Sequence, residues 1–263
     1  MAQLSLSPET KSSQVKFKTA RLIELWCAEP VFFASRELSD TYYTEGTIGN
    51  YALAYALGWA RAPYRLTGQD TCRPKYVEDL SPISEKCYIL PATPIKENIT
   101  FRFERFNGLS DSYWYAMTNN RVATAREDLP FKRETGKKPN SFRASNFPQT
   151  GRLRVIERGN KFQTLVFGDH ELSEYIRVGK FMSKMRVQIL QELKITELPK
   201  GEYHCGLYLN TADLPTNLDI LAFDLIAIPP VSLLKNLQFR GSAWQIGEFV
   251  LPANLHFFAG GTR

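Results

Sequence analysis

The sequence predicts a β-rich α+β fold. Three observations carry this. Short runs of β-branched and aromatic residues recur along the chain, one Ala/Leu-rich segment is apolar on nearly every side, and the spacing lacks the regular strand–helix alternation of a doubly wound sheet. Residues 1–14 read as a loose tail. From Val15 to Ser35 the chain reads as extended: Leu22, Ile23, Leu25, Trp26, Val31, Phe32 and Phe33 favour strand, and Pro30 interrupts it. Thr47 opens a predicted helix that runs to about Ala60. Its run from Ile48 to Leu57 is uncharged, so the helix is expected to be buried on every side, with Pro63 marking its end. Residues 61–98 carry Pro63, Pro74, Pro82, Pro91 and Pro94 and read as irregular.

Ile99 to Phe103 alternates and reads as a half-buried strand. Residues 107–150 show little periodicity; a loop that long inside a compact domain is functional or disordered. Beyond it, Leu153 and Val155 alternate with Arg152 and Arg154, Gly159-Asn160 follows, and then Gln163 to Phe167. A Gly-Asn pair between β-rich runs predicts a hairpin, here with Arg152 and Arg154 on a cationic face. Val187–Leu190 and Tyr203–Leu209 read as further strands. In the second, Tyr203, Cys205, Leu207 and Leu209 share a face, with His204 and Tyr208 opposite. Leu218–Ile228 reads as helix or strand, and Gln245–Val250 and Leu255–Phe258 as closing strands.

With 263 residues, 43% of them hydrophobic, the chain can fill one large core or two small ones. The polar N-terminus is neither a signal peptide nor a membrane span, and no other segment is long and apolar enough to be one, so a soluble cytoplasmic protein without membrane contact is expected. Cys27, Cys72, Cys87 and Cys205 form no C-x-x-C pair and are expected as reduced, mostly buried thiols. No cofactor or metal is expected.

The charge is concentrated. Residues 121–154 hold nine cations (Arg121, Arg126, Lys132, Arg133, Lys137, Lys138, Arg143, Arg152, Arg154) against three acids, a balance of +6 that equals the formal charge of the whole chain. Phe131, Phe142 and Phe147 lie among them. Cations interleaved with aromatics suit a surface that tracks a phosphate backbone and stacks bases. A second group, Arg177, Lys180, Lys184 and Arg186, surrounds Gly179. It fails as a phosphate-binding loop, because Glu174 stands where the first glycine belongs and Phe181 follows the lysine; its cations can still meet phosphates singly, or form an ordinary surface turn. His170, His204 and His256 are scattered, and no nucleophile motif occurs. A metal-free ribonuclease built on His204, Tyr208 and a lysine is the catalytic alternative.

Two stretches, Ile48 to Leu57 following Phe33-Ala34-Ser35-Arg36-Glu37, and Tyr175 to Lys184, resemble the Cas-five-like small subunit of cyanobacterial type I-D CRISPR Cascade, in the repeat-associated RNA-binding superfamily. The resemblance implies a ferredoxin-like (RRM-like) antiparallel core within residues 15–186, a protruding basic hairpin or thumb at about 107–168, and a smaller β-rich part at 187–263. It implies a non-catalytic subunit that caps the 5′ end of the guide RNA beside the Cascade backbone and large subunits, near the entry of target double-stranded DNA. The superfamily's C-terminal glycine-rich loop is represented only by Gly260-Gly261, and the adjacent Lys-His pair of RNA-cutting relatives is missing. The expected nucleic-acid contacts are the nine cations of 121–154 together with Arg177, Lys180 and Lys184. Asn50 and Tyr51, near the start of the helix, either help hold the RNA end or pack. A protein-interaction adaptor that grips an acidic surface is the remaining alternative.

Overall fold

The computed structural model describes residues 17–38, 41–60, 74–96, 98–107 and 150–258. The tail at 1–14, Gly260-Gly261 and most of the basic window, from Arg121 to Arg143, lie outside the described residues. In chain order the elements are β1 (Thr19–Cys27), β2 (Arg36–Leu38), β3 (Thr41–Tyr43), α1 (Asn50–Ala56), α2 (Tyr76–Leu80), β4 (Tyr88–Ile89), β5 (Thr93–Pro94), β6 (Phe101–Asn107), β7 (Thr150–Ile156), β8 (Lys161–Phe167), β9 (Tyr175–Val178), β10 (Ser183–Cys205), β11 (Leu209–Asn210), β12 (Asp219–Ile226), β13 (Leu233–Ile246) and β14 (Phe249–Pro252).

The strands form two sheets, so the protein is a sheet-rich α+β molecule with few helices. In the larger sheet β1 is central, antiparallel to β8 on one side and to β10 on the other, and β4 and β5 close the far edge of β8. The strand β10 is 23 residues long and serves both ends of this sheet. Its first half pairs with β1 and β9, and its second half with β13, which also holds β11, β12 and β14. The smaller sheet runs β2-β3-β7-β6, with β3 parallel to β7.

One hydrophobic cluster crosses the larger sheet, from Ile23, Leu25 and Leu53 through Tyr88 and Phe167 to Leu237, Phe239 and Trp244. The boundary drawn at residues 186 and 187 falls inside β10. A second, smaller cluster of Phe32, Tyr42, Leu153 and Val155 backs the smaller sheet. Cys27, Cys87 and Cys205 are free and buried, and burial pushes the Cys27 and Cys205 thiols up to about 12, where they stay protonated and unreactive.

Several expectations are corrected. The strands on either side of Gly159-Asn160 exist, but they do not pair with each other: β7 joins the smaller sheet and β8 the larger one. Gly159, at φ +86°, turns the chain from one sheet to the other. The Asn160 amide fixes that corner, donating to the Glu157 and Thr100 carbonyls and accepting from the Thr100 N–H. The true antiparallel partner of β7 is β6, across residues 108–149.

The predicted helix shortens to seven residues, and Ala52, Tyr55 and Ala56 are only half-buried, so it is not enclosed on every side. The segments Val187–Leu190 and Tyr203–Leu209 belong largely to one continuous strand; Pro199-Lys200 sits in a register shift between Leu198 and Gly201 rather than in a turn. Gln245–Val250 holds the turn between β13 and β14. Leu255–Phe258 is not a strand; Phe257 and Phe258 instead lie against the Tyr88 ring, at 4.3 and 4.9 Å between centroids.

Candidate nucleic-acid interface

A cleft of about 790 Å³ opens where three stretches distant in sequence meet: Phe33–Glu37, the α1 segment from Gly49 to Ala56, and Arg177–Lys180 with Met182. All three lie within the segments on which the family resemblance rests. Tyr76, Asn210 and Ile228–Val231 are also part of the lining.

Local structure sets the cationic rim. β9 and β10 form a hairpin whose loop is Gly179-Lys180-Phe181-Met182. Gly179 has φ +73°, and a Cβ there would stand 2.4 Å from the Phe32 carbonyl oxygen, so the chain can approach that closely only at a glycine. The Lys180 N–H then donates to that carbonyl at 2.8 Å, and the Phe181 ring stacks on Phe32 at 5.0 Å. The loop is thereby pinned, with the Lys180 and Arg177 side chains exposed at the cleft. The Arg177 guanidinium donates to the Met182 carbonyl at 2.9 Å, which braces it across the turn. Arg36 also lines the cleft and is ion-paired with Glu45.

The opposite wall is aromatic. Tyr51 and Tyr76 stack at 5.1 Å, and Tyr55 meets Tyr76 edge-on. Burial pushes the Tyr51 phenol up to about 12 and raises that of Tyr76, so both stay neutral and can donate hydrogen bonds. Behind this wall lies a buried polar network. Asp213 accepts from the Asn50 side-chain amide at 2.8 Å and from the Tyr88 hydroxyl at 2.7 Å, and the Asn210 side chain donates to Asn50 Oδ1 at 2.9 Å.

The individual candidates divide accordingly. Arg121, Arg126, Lys132, Arg133, Lys137, Lys138 and Arg143 lie outside the described residues. Arg177 and Lys180 meet at the cleft. Lys184, opposite Arg177 in register, places its ammonium 4.0 Å over the Tyr175 ring. Asn50 lines the cleft but is buried, its amide committed to Asp213 and Asn210, and Tyr51 is buried with its ring committed to Tyr76. Arg152 and Arg154 lie on the smaller sheet, where Leu153 and Val155 are buried and Arg152 is exposed, as the alternation predicts.

Sequence reasoning passed over Arg36, Tyr55 and Tyr76. Arg36 stands inside a quoted segment and is the one cation there, whereas Tyr76 gives no local signal, because only the fold brings it to α1. His204 and Tyr208 are absent from the cleft lining, which contains no histidine. Among the described residues no group of three His, Cys, Asp or Glu side chains is placed to hold a metal, and no helix is long and apolar enough to cross a membrane. The arrangement suits an anionic ligand carrying a planar group: cations on one rim, neutral phenol rings on the facing wall.

No curated protein sequence matches the chain. Among solved structures, it is similar to a chain of the type III-B Cmr-beta complex bound to cognate target RNA and AMPPnP, at 9% identity over 84% of this chain and 86% of that one, with a TM-score of 0.42. It is also similar to a CRISPR protein from Archaeoglobus fulgidus, at 13% identity over 88% and 98% of the two chains, with a TM-score of 0.40. The family model described as type I-D CRISPR-associated protein Cas5/Csc1 matches residues 18–260, and the chain belongs to that family.

Proposed function

We propose that the protein is a non-catalytic subunit of a type I-D surveillance complex that binds and caps the 5′ end of the guide RNA, with the cleft as the seat of that end. The observation that carries this reading is the convergence of Arg177, Lys180 and Arg36 with the Tyr51–Tyr76 wall in one cleft built from otherwise distant segments. Phosphates would meet the rim, and an unstacked base or ribose would meet the half-buried rings of Tyr55 and Tyr76, which Tyr51 backs. The backbone and large subunits are its protein partners, and cations of 121–143 reach target double-stranded DNA near its flanking motif.

In this reading the strands β10-β1-β8-β4 are the ferredoxin-like core. Numbered by chain order they lie as fourth, first, third and second, with α1 in the connection between the first two. The connection between β8 and β10 carries β9 and no helix. The β6–β7 pair is the root of the basic thumb.

The test is binding of a labelled guide-type RNA by the full chain as a function of salt. Changing Arg177 and Lys180 together to Ala weakens binding and flattens the log–log salt slope by about 1.4, the release expected for two phosphates on a single strand. An unchanged slope overturns the cleft assignment. The same RNA incubated in EDTA stays intact; cutting that His204→Ala abolishes would replace this reading with a ribonuclease.

A further inference from the structure

The smaller sheet carries a second surface that the cleft does not use. On β6, Phe101, Phe103 and Arg105 share a face: Phe101 is half-buried against the core, Phe103 is 58% exposed and Arg105 is exposed. The register aligns these residues with β7 and β3. Phe103 stands opposite Arg154, and Arg154 opposite Tyr43; Arg105 stands opposite Arg152. Paired residues in neighbouring strands project from the same face.

The side chains form an ordered surface. The Arg154 guanidinium lies 3.5 Å from the Phe101 ring centroid and 5.7 Å from that of Tyr43, and Tyr43 meets Phe103 edge-on at 6.5 Å. A guanidinium held between rings extends the flat surface they make. One row further out, Arg105 and Arg152 face each other, and among the described residues neither has a carboxylate partner. The carboxylate on β6, Glu104, projects to the opposite face, where it pairs with Arg102. An antiparallel strand ordinarily turns its apolar side to the core and its charges to water. On β6 Phe103 departs from this, standing 58% exposed, while Arg102 and Glu104 on the other face also keep contact with solvent, and such local departures concentrate at functional surfaces.

We propose that this face is a stacking platform for single-stranded RNA, with unpaired bases lying on Phe103 and Tyr43 and the backbone held by Arg105 and Arg152. Charge selects the occupant: two facing arginines with no acidic partner among the described residues suit a polyanion and oppose a cationic protein surface. Geometry agrees, since the face of a four-stranded sheet offers room for two or three stacked bases. Continuity supplies the source. Arg36, opposite Tyr43 in register, also lines the cleft, so a strand leaving the cleft passes directly onto the platform. In that last respect the inference rests on the cleft reading.

The test uses the full chain and single-stranded RNA carrying 2-aminopurine, whose emission falls when it stacks on an aromatic ring. Phe103 is exposed, so its substitution leaves the fold intact. Phe103→Ala is expected to remove the quenching and to weaken binding about tenfold with an unchanged salt slope, because a stacking contact releases no counterions. Phe103→Leu, apolar but without a ring, behaves like Phe103→Ala. Arg105→Ala with Arg152→Ala instead flattens the slope.

Wild-type quenching and affinity in Phe103→Ala and Tyr43→Ala overturn the platform. So does a Phe103→Ala chain that binds RNA normally but fails to join its partner subunits, which makes the face a protein contact. Competition by single-stranded DNA as strong as that by RNA overturns RNA as the occupant. The Arg177 and Lys180 double variant separates the two sites: loss there with intact quenching by the platform leaves the platform standing, whereas loss only at Phe103 leaves the platform and removes the cleft.

Discussion

Asp213 shows how a residue with no signal in its local sequence sets a property of the whole chain. Its carboxyl is 1% exposed, and burial raises it from an ordinary 3.8 to about 7, against the opposing pull of the Tyr88 and Asn50 hydrogen bonds. In the unfolded chain the group loses its proton near pH 4; in the fold it keeps the proton until near pH 7. Between those values the native state binds more protons than the unfolded one, so this residue's contribution favours folding most at low pH, declines as pH rises through the window, and is level above about 7. Asp213→Asn keeps an acceptor for Tyr88 and cannot ionise. Its melting temperature relative to wild type is therefore expected to climb from pH 5 to pH 7 and then hold constant. Thermal melts at pH 5, 6, 7 and 8 check this, and a difference that stays flat across the series refutes the assignment of a proton-holding Asp213. The hydrogen bonds to Asn50 and Tyr88 span separations of 163 and 125 residues, which is why neither periodicity nor motif spacing could disclose them.

The elements divide by whether their signal is local. The β7 alternation was legible, because Leu153 and Val155 on one face and arginines on the other follow from the pleat alone. The strand character of β1, β8 and part of β10 followed from composition in the same way. Pairing was not legible: β7 lies parallel to β3, more than a hundred residues earlier, and Gly159-Asn160 proved to turn between sheets rather than within one. The continuity of β10 was hidden because Val187–Leu190 and Tyr203–Leu209 read as separate strands, yet the chain carries Pro199-Lys200-Gly201 between them as a bulge that the Tyr203 hydroxyl closes onto the Pro199 carbonyl at 2.8 Å.

In the candidate site, the two segments that carry the resemblance both line the cleft, but nothing in the sequence said that they meet or that Tyr76 would face them. The β9–β10 loop permits a direct test at this scale. Gly179→Ala places a Cβ against the Phe32 carbonyl at a positive φ, so the loop must lift and lose the Lys180–Phe32 hydrogen bond. A cost of about 1–3 kcal/mol in unfolding free energy is expected, read by urea denaturation, together with weaker RNA binding through the displaced Lys180. Unchanged stability would mean that the loop is not held as described.

At the scale of the molecule, the question is whether the chain is one cooperative body or a core with a separable C-terminal part. Strand β10 argues for one body. Its residues from Met185 to Lys194 cover one edge of β1, and its residues from Ile195 to Cys205 are the partner of β13. No loop intervenes at which the two halves could part. The hydrophobic cluster repeats the connection: Trp244 of β13 lies 6.4 Å from Phe167 of β8, and Phe239 and Leu237 share that cluster with Ile23 and Leu25. Unfolding the C-terminal strands alone would strip cover from Phe167 and leave half of β10 without a partner. Buried backbone groups left unpaired in that way carry a penalty comparable to lost hydrogen bonds. Far-ultraviolet circular dichroism, which follows all the strands, and tryptophan fluorescence, which follows Trp26, Trp59 and Trp114 before the proposed boundary and Trp244 after it, are therefore expected to trace a single coincident urea transition. A chain ending at residue 186 loses the strand segment that pairs with β1 from Thr19 to Leu25 and is expected not to fold. Two separated transitions, or a folded 1–186 fragment, would show that the C-terminal strands are an independent unit and that β10 only bridges two stable bodies.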